Sequence, residues 1–359
     1  MRRVKRWALG LLAGGLLLAG AAWVWRAPLA IALAARVAPA RLAADAQAGL
    51  PDGLHVGLCG AGSPFPDERR SGPCTVVVAG RRLFVFDAGG GSTRNLARMG
   101  FLHGRIDAIV LTHFHSDHID GLGELMLQRW VAGPNAAPVP VWGPPGVEAV
   151  VAGFNQAYAP DRQYRVAHHG EPTMPSSGAG GVAQVVTLGA DGRGTVWREG
   201  DLEITAFAVD HAPVHPALGY RIRYKDRSVV LSGDTRKSAA VQREATGADL
   251  LVHEALSPRL VGLLGEAAPG AGRPHLRKVF ADIVDYHSTP EEAAQTAQAA
   301  GVRLLLLNHI APPLPLPGLE AAFLGDAARH YAGPIRVGAD GDFVSLPAGS
   351  TDVRVGRRF

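Results

Sequence analysis

The chain has 359 residues, of which 47% are hydrophobic, 19% charged and 6% aromatic. That composition supports one large domain or two modest ones with a sizeable core, and it excludes a disordered chain or a coiled coil. Lys and Arg number 36 against 32 Asp and Glu, a formal charge of +4, and Arg2, Arg3, Lys5 and Arg6 alone account for the excess, so a strongly basic nucleic-acid-binding body is disfavoured.

Behind that basic run, residues Ala8 to Trp25 are uncharged and mostly apolar. As a helix they would span roughly 27 Å at about 1.5 Å per residue. A retained membrane anchor and a removed signal peptide both fit, the latter with Ala19-Gly20-Ala21 as its cleavage site. Either reading exports the body of the protein, to the periplasm or beyond, with residues 8–25 as its anchor in the inner membrane where they are retained. Residues 26–53 are Ala-rich and helix-prone and read as a stalk or linker. A single domain is expected over 54–350.

That domain opens with a strand-like Leu54 to Leu58, and the two cysteines, Cys59 and Cys74, then flank one loop. In an oxidising compartment they would form a disulfide, stabilising by about 3 kcal/mol for a loop of about 15 residues; two separate buried thiols are the alternative. No CxxC or Cys/His finger spacing supports a structural zinc site. Further β-rich runs follow at Cys74–Val78, Leu83–Phe86, Ala108–Thr112, Val139–Trp142, Ile204–Val209, Tyr220–Tyr224, Val229–Ser232, Leu250–Val252 and Leu304–Asn308. Helical patterns fall between them, at about 93–100, 118–131, 146–158, 238–247 and 290–300. Thr289-Pro290-Glu291-Glu292 gives the last a capping box with proline at its first position. Alternating strands and helices with hairpin-like pairs predict mixed sheets covered by helices.

The sharpest feature is Thr112-His113-Phe114-His115-Ser116-Asp117-His118-Ile119-Asp120-Gly121, just past the apolar run 106–111. In extended backbone His113, His115 and Asp117 share one side, and a turn at His118 swings a fourth donor inward. Imidazole and carboxylate are the donors that suit zinc and similar divalent ions. Further donors stand just past other strands: His211 after Ile204–Val209, Asp234 after Val229–Ser232, and His309 after Leu304–Asn308. Each is weak alone, and together they reinforce the cluster. Histidines 55, 103, 168, 169, 275 and 330 carry no spacing signal and read as structural or solvated. His168-His169 adjoin Tyr158, Arg162, Tyr164 and Arg165, which line either a substrate mouth or an exposed loop. No GxSxG elbow, Walker A loop or GxGxxG turn is present, and Gly89-Gly90-Gly91-Ser92 lacks the lysine of a nucleotide loop.

These motifs, in their order, resemble the metallo-β-lactamase fold superfamily over most of 54–345. Gly60-Ala61-Gly62-Ser63-Pro64, Asp87-Ala88-Gly89, Gly219-Tyr220-Arg221, Ser232-Gly233-Asp234-Thr235, His253-Glu254-Ala255 and His287-Ser288-Thr289 resemble its ribonuclease Z/arylsulfatase-like branch. The resemblance implies a four-layer αββα sandwich of the α/β class and a dinuclear site. His113, His115 and His211 would hold one divalent ion and Asp117, His118 and His309 the other, with Asp234 bridging; His215 is the alternative to His211. Zinc is the implied metal, with manganese or iron as alternatives. His287 is implied as a general acid or oxyanion donor, Glu254 as the group that orients it, and Asp117 as a ligand that doubles as proton acceptor.

The expected activity is therefore hydrolysis of a small phosphodiester or sulfate ester by an exported metallohydrolase, with a homodimer allowed. Nucleic acid is disfavoured as a partner, because the N-terminus reads as an export segment and no long Gly/Pro-rich basic insertion is evident. The rival readings are a ribonuclease Z-like tRNA 3′ endonuclease, a lactone or β-lactam hydrolase, and a non-catalytic metal-binding module.

Overall fold

The computed structural model describes residues 2–359, apart from the side chains of 2–6, 8–11, 17, 18 and 21. Two compact units divide it, Met1–Asp45 and Ala46–Phe359. The first is one helix, Arg2–Ala43, with Pro28 and Pro39 inside it. Among the described residues no helix is long and apolar enough to cross a membrane. The anchor or signal expected at 8–25 therefore gains no support, and part of that segment lies outside the described residues.

The second unit is built on two sheets. The first runs in the order β15 (Arg354–Arg357), β14 (Asp342–Pro347), β1 (Gly53–Gly60), β2 (Cys74–Ala79), β3 (Arg82–Phe86), β4 (Ala108–Val110), β5 (Val139–Gly143) and β6 (Gly181–Val185). The second runs β13 (Ile335–Val337), β12 (Leu304–Ala311), β11 (Leu250–Leu256), β10 (Arg227–Leu231), β9 (Leu218–Tyr224), β8 (Leu202–Ala208) and β7 (Arg193–Glu199). Between the sheets lies one core, with Val56, Val77, Phe84 and Val110 meeting Ile204, Tyr220, Val229 and Leu306. A second core covers the outer face of the first sheet, where Leu96, Leu122, Leu125 and Val151 come from helices. A third packs Val241, Ala293, Ala297 and Phe323 on the outer face of the other sheet. The four-layer mixed α/β sandwich follows from those three apolar interfaces.

Parallel pairing positions the chemistry. Strands β3, β4 and β5 run parallel, as do β10, β11, β12 and β13, so their C-terminal ends gather at one rim. Fully buried Tyr220 bridges the sheets just beneath it, its hydroxyl donating to Leu111 O at 2.5 Å.

Several elements differ from expectation. The helix expected over 118–131 is two, Ser116–Ile119 and Leu122–Val131, separated at Asp120-Gly121. Strands β6, β7, β13, β14 and β15 carried no sequence signal strong enough to place them: β15 is wholly exposed, and β7 breaks its alternation at the adjacent Val196 and Trp197 and carries charge at both ends. The aromatic, basic stretch read as a mouth or loop is a helix, Ala159–His169, that buries none of its residues. Cys59 and Cys74 are joined in a disulfide. His55 and His103 are structural, hydrogen-bonded to Ser345 Oγ and Pro51 O and to Thr93 O respectively.

Candidate metal centre

At the rim, the turn after β4 carries His113, His115, Asp117 and His118, β10 leads to Asp234, β8 leads to His211, and β12 carries His309. His309 has φ +48 and sits at a β-bulge, where Glu254 opposes Asn308 but Ala255 opposes Ile310. The extra residue is thereby turned out of the ladder, as bulges near active sites do.

One atom organises the cluster. Oδ2 of Asp234 lies 3.2 Å from Nε2 of His309, 3.3 Å from Nε2 of His118, 3.8 Å from Nε2 of His113 and 3.9 Å from Nε2 of His211. On one side, His115 Nδ1 approaches His113 Nε2 at 3.0 Å and His211 Nε2 at 3.4 Å. On the other, Asp117 Oδ2 lies 3.2 Å from His309 Nε2 and 3.5 Å from His118 Nε2. Ligands about 2.1 Å from one tetrahedral cation stand roughly 3.4 Å apart, and these separations bracket that figure. His118 Nε2 is buried with no hydrogen-bond partner, a costly state for a polar atom unless something electropositive meets it. The donor set therefore fits divalent metal ions in two adjoining groups, one of His113, His115, His211 and Asp234, the other of Asp117, His118 and His309. His215 is exposed and outside both groups.

Supporting contacts set which nitrogen is free. Asp87, in the left-handed region at φ +57 just past β3, accepts Thr112 N–H at 2.8 Å and the Thr112 hydroxyl at 2.9 Å. Its Oδ2 also takes Nδ1–H of His118 at 2.8 Å, which leaves the Nε2 lone pair of that ring for a cation. His211 donates Nδ1–H to Tyr286 O at 2.9 Å with the same result. Asp87, Thr112 and Tyr286 had no assigned role in the sequence reading. A carboxylate directly after a strand was the available signal for Asp87, the one that marks Asp234.

The electrostatics are those of a compact charged cluster. Burial alone would raise the Asp234 carboxyl, but His309, His118 and His113 outweigh it and hold the group well below the carboxylate range. Burial opposes charge on His118, yet Asp234, Asp87 and Asp117 keep it well above the usual imidazole value. His113 is pushed well below that value by burial and by neighbouring His118.

His287 follows the short turn Ile283–Tyr286 and reaches the same place, its ring 5.2 Å from that of His211 and 5.3 Å from that of His309. Its Nδ1 lies 3.0 Å from Glu254 Oε1, which also accepts Thr235 N–H at 3.0 Å and Ser288 N–H at 3.1 Å. The seven expected ligands, His287 and Glu254 thus meet in one site.

The beta-lactamase superfamily domain family matches residues 82–310. Ribonuclease Z of Mycolicibacterium gilvum (strain PYR-GCK) is 39% identical over 80% of this chain and 94% of its own length. Ribonuclease Z of Mycolicibacterium paratuberculosis (strain ATCC BAA-968 / K-10) is 37% identical over 83% of this chain and all of its own length. Among solved structures, the metallo-beta-lactamase fold protein YhfI from Bacillus subtilis superposes with a TM-score of 0.57 at 18% identity, covering 81% of this chain and 98% of that one. The short form of human tRNase Z superposes at 0.54 and 20% identity, covering 82% and 99%; at such identities both show the fold alone.

These relatives overturn two expectations: a small phosphodiester or sulfate ester as the substrate, and nucleic acid as a disfavoured partner. The first rested on an N-terminal segment and a missing basic insertion, and the second also on charges that balance once Arg2, Arg3, Lys5 and Arg6 are set aside, none of which describes the rim. By the family match and these identities, the chain belongs to the beta-lactamase superfamily, in its ribonuclease Z branch.

Proposed function

We propose that the protein is a metal-dependent ribonuclease that cuts a phosphodiester near the 3′ end of precursor tRNA. The observation that carries this reading is the joint one: 39% identity across 94% of a ribonuclease Z, together with a complete donor cluster at the rim. His113, His115, His211, Asp117, His118, His309 and Asp234 would hold two zinc ions, which when bound would supply Lewis acidity toward the scissile phosphate and the attacking water.

The protein's own groups do the rest. Glu254 occupies Nδ1 of His287, so Nε2 is the position from which that ring hands a proton to the departing oxygen. Buried Asp117 stays a carboxylate: burial pushes its pKa up, but His118 and His309 pull it below the ordinary value. It serves as ligand and as an acceptor for a proton arriving from the attacking side.

The test is cleavage of an unprocessed tRNA transcript by the full chain loaded with zinc. His287→Ala should lower kcat by about 10²- to 10⁴-fold while metal content stays unchanged. A wild-type protein that holds its metal and leaves the transcript intact would sink the reading.

A further inference from the structure

Past β11 the chain leaves the sandwich as a helical hairpin, Pro258–Ala267 and His275–Asp282, and returns to the metal rim through the turn Ile283–Tyr286. Tyr286 therefore stands one residue before His287. Its carbonyl oxygen accepts Nδ1–H of His211 at 2.9 Å. Its ring lies 4.7 Å from the ring of His287, 4.8 Å from that of His211 and 6.3 Å from that of His115. The three imidazoles meet it at 46°, 78° and 47°. None of them lies flat on it, so neither face is filled by a parallel ring of the cluster, and the residue is only half-buried.

The backbone beneath this ring is held from several directions. Asp285 O accepts Nε–H of Arg236, whose guanidinium also pairs with Asp210 at 3.3 Å and donates to Ala212 O at 3.3 Å. Beyond His287, Ser288 N–H donates to Glu254 Oε1 at 3.1 Å and the Ser288 hydroxyl donates to Thr235 O at 2.7 Å. Residues 285–288 are thus tied to the chain after β8, to the chain after β10 and to β11. A tyrosine carried on so fixed a backbone loses little freedom when a ligand lands on it.

The rings that border Tyr286 are two metal donors and the group that protonates the departing oxygen. A phosphodiester that reaches those groups brings its adjoining nucleotide against this side chain. The His287 ring is the closest of the three, so that nucleotide is the one bearing the departing oxygen. Every nucleobase offers a π-face, and stacking on an aromatic side chain holds it without reading its sequence.

We infer that Tyr286 is a substrate-binding residue, the platform on which the base of the nucleotide bearing the departing oxygen stacks. The inference rests on the ribonuclease reading above and adds to it a contact that holds one base beside the scissile phosphate.

The experiment is a cycle that removes either partner of the stack. Full-length, zinc-loaded wild type, Tyr286→Phe and Tyr286→Leu are each given an unprocessed tRNA and the same RNA made abasic at that one nucleotide, which is located from the mapped cut. Wild type and Tyr286→Phe should cleave the normal RNA alike, whereas Tyr286→Leu should lose about tenfold or more in kcat/KM. The abasic RNA should cost the wild type a similar factor, and on it Tyr286→Leu should be no worse than the wild type. Zinc per chain should be the same in all three proteins. Equal losses for Tyr286→Leu on both RNAs would overturn the inference and leave the ring as a brace for His211 and His287. Abasic RNA cut by the wild type as fast as normal RNA would also overturn it, whatever the variants do. If the zinc-loaded wild type leaves normal RNA uncut, the ribonuclease reading fails first and takes this inference with it.

Discussion

Asp87 and His118 are 31 residues apart in sequence, yet Oδ2 of the first accepts Nδ1–H of the second at 2.8 Å inside the metal cluster. The same carboxylate also receives the backbone and hydroxyl of Thr112, the residue immediately before the histidine-rich turn. Asp87 therefore holds both the start of that turn and the tautomer of one of its imidazoles.

Asp87→Ala should weaken divalent metal binding at the group formed by Asp117, His118 and His309 by about 10- to 100-fold, the usual cost of losing such a support. Because Thr112 N–H would then lie buried without an acceptor, Asp87→Asn is the second variant: it keeps an oxygen for the amide but loses the charge facing His118. Metal per chain after dialysis against zinc buffers of graded free concentration is the readout. Equal affinity in both variants and the wild type would show that Asp87 does not support the site.

The parts of this site that could be read from sequence are those whose spacing is local. His113, His115, Asp117 and His118 announce themselves because a strand end and one turn bring them together without help from elsewhere. Asp234 and His309 were legible as donors just past apolar strands. The Asp87–His118 pair depends on which strands lie side by side, and Asp87 had no local pattern beyond its place after β3, whereas the Glu254–His287 pair was named through the family resemblance alone. The fold class followed from alternating strands and helices, but β7 and β15 escaped because edge strands with outward charge do not alternate cleanly. The hairpin 258–282 escaped because its helices are 10 and 8 residues long and broken by a Gly/Pro turn, so neither offers a long periodic stretch.

His55 offers a pH-dependent test of the core. It is 1% exposed, with Nδ1 on Ser345 Oγ and Nε2 on Pro51 O, each at 2.9 Å. Burial is the largest influence on it and lowers its pKa below the ordinary 6.5. The unfolded chain therefore binds a proton here over a range of pH in which the folded chain does not, and stability rises with pH through that range. The contribution is fully present above about 6.5 and is lost as pH falls below it toward the folded value. His55→Gln removes the titration while keeping a polar side chain. Denaturant midpoints at pH 7.5 and 5.5 should show a smaller acid-induced loss in the variant, by at most about 1.4 kcal/mol per pH unit. An identical loss in both proteins would remove His55 from the acid sensitivity.

Gly89 tests how tightly the disulfide loop and the metal turn are pressed together. A Cβ at this position would stand 2.3 Å from Gly72 C and 2.4 Å from Asp117 O, both backbone atoms with no freedom to swing aside. Gly72 lies in the loop closed by Cys59 and Cys74, and Asp117 lies between His115 and His118 in the metal turn. Gly89 N–H also donates to Pro73 O at 3.0 Å, and Gly121 N–H donates to Ala88 O at 2.8 Å, so the strand end is bonded to the segments on either side. Gly89→Ala must push one of them away. Overpacking of this kind costs about 1 to 3 kcal/mol, and the displaced Asp117 should lose its hold on the second metal, so thermal stability and zinc content should fall together. Gly153→Ala is the control, since a Cβ there meets nothing within 4 Å. If Gly89→Ala keeps the melting temperature and both metals, the two loops are not packed backbone to backbone as described.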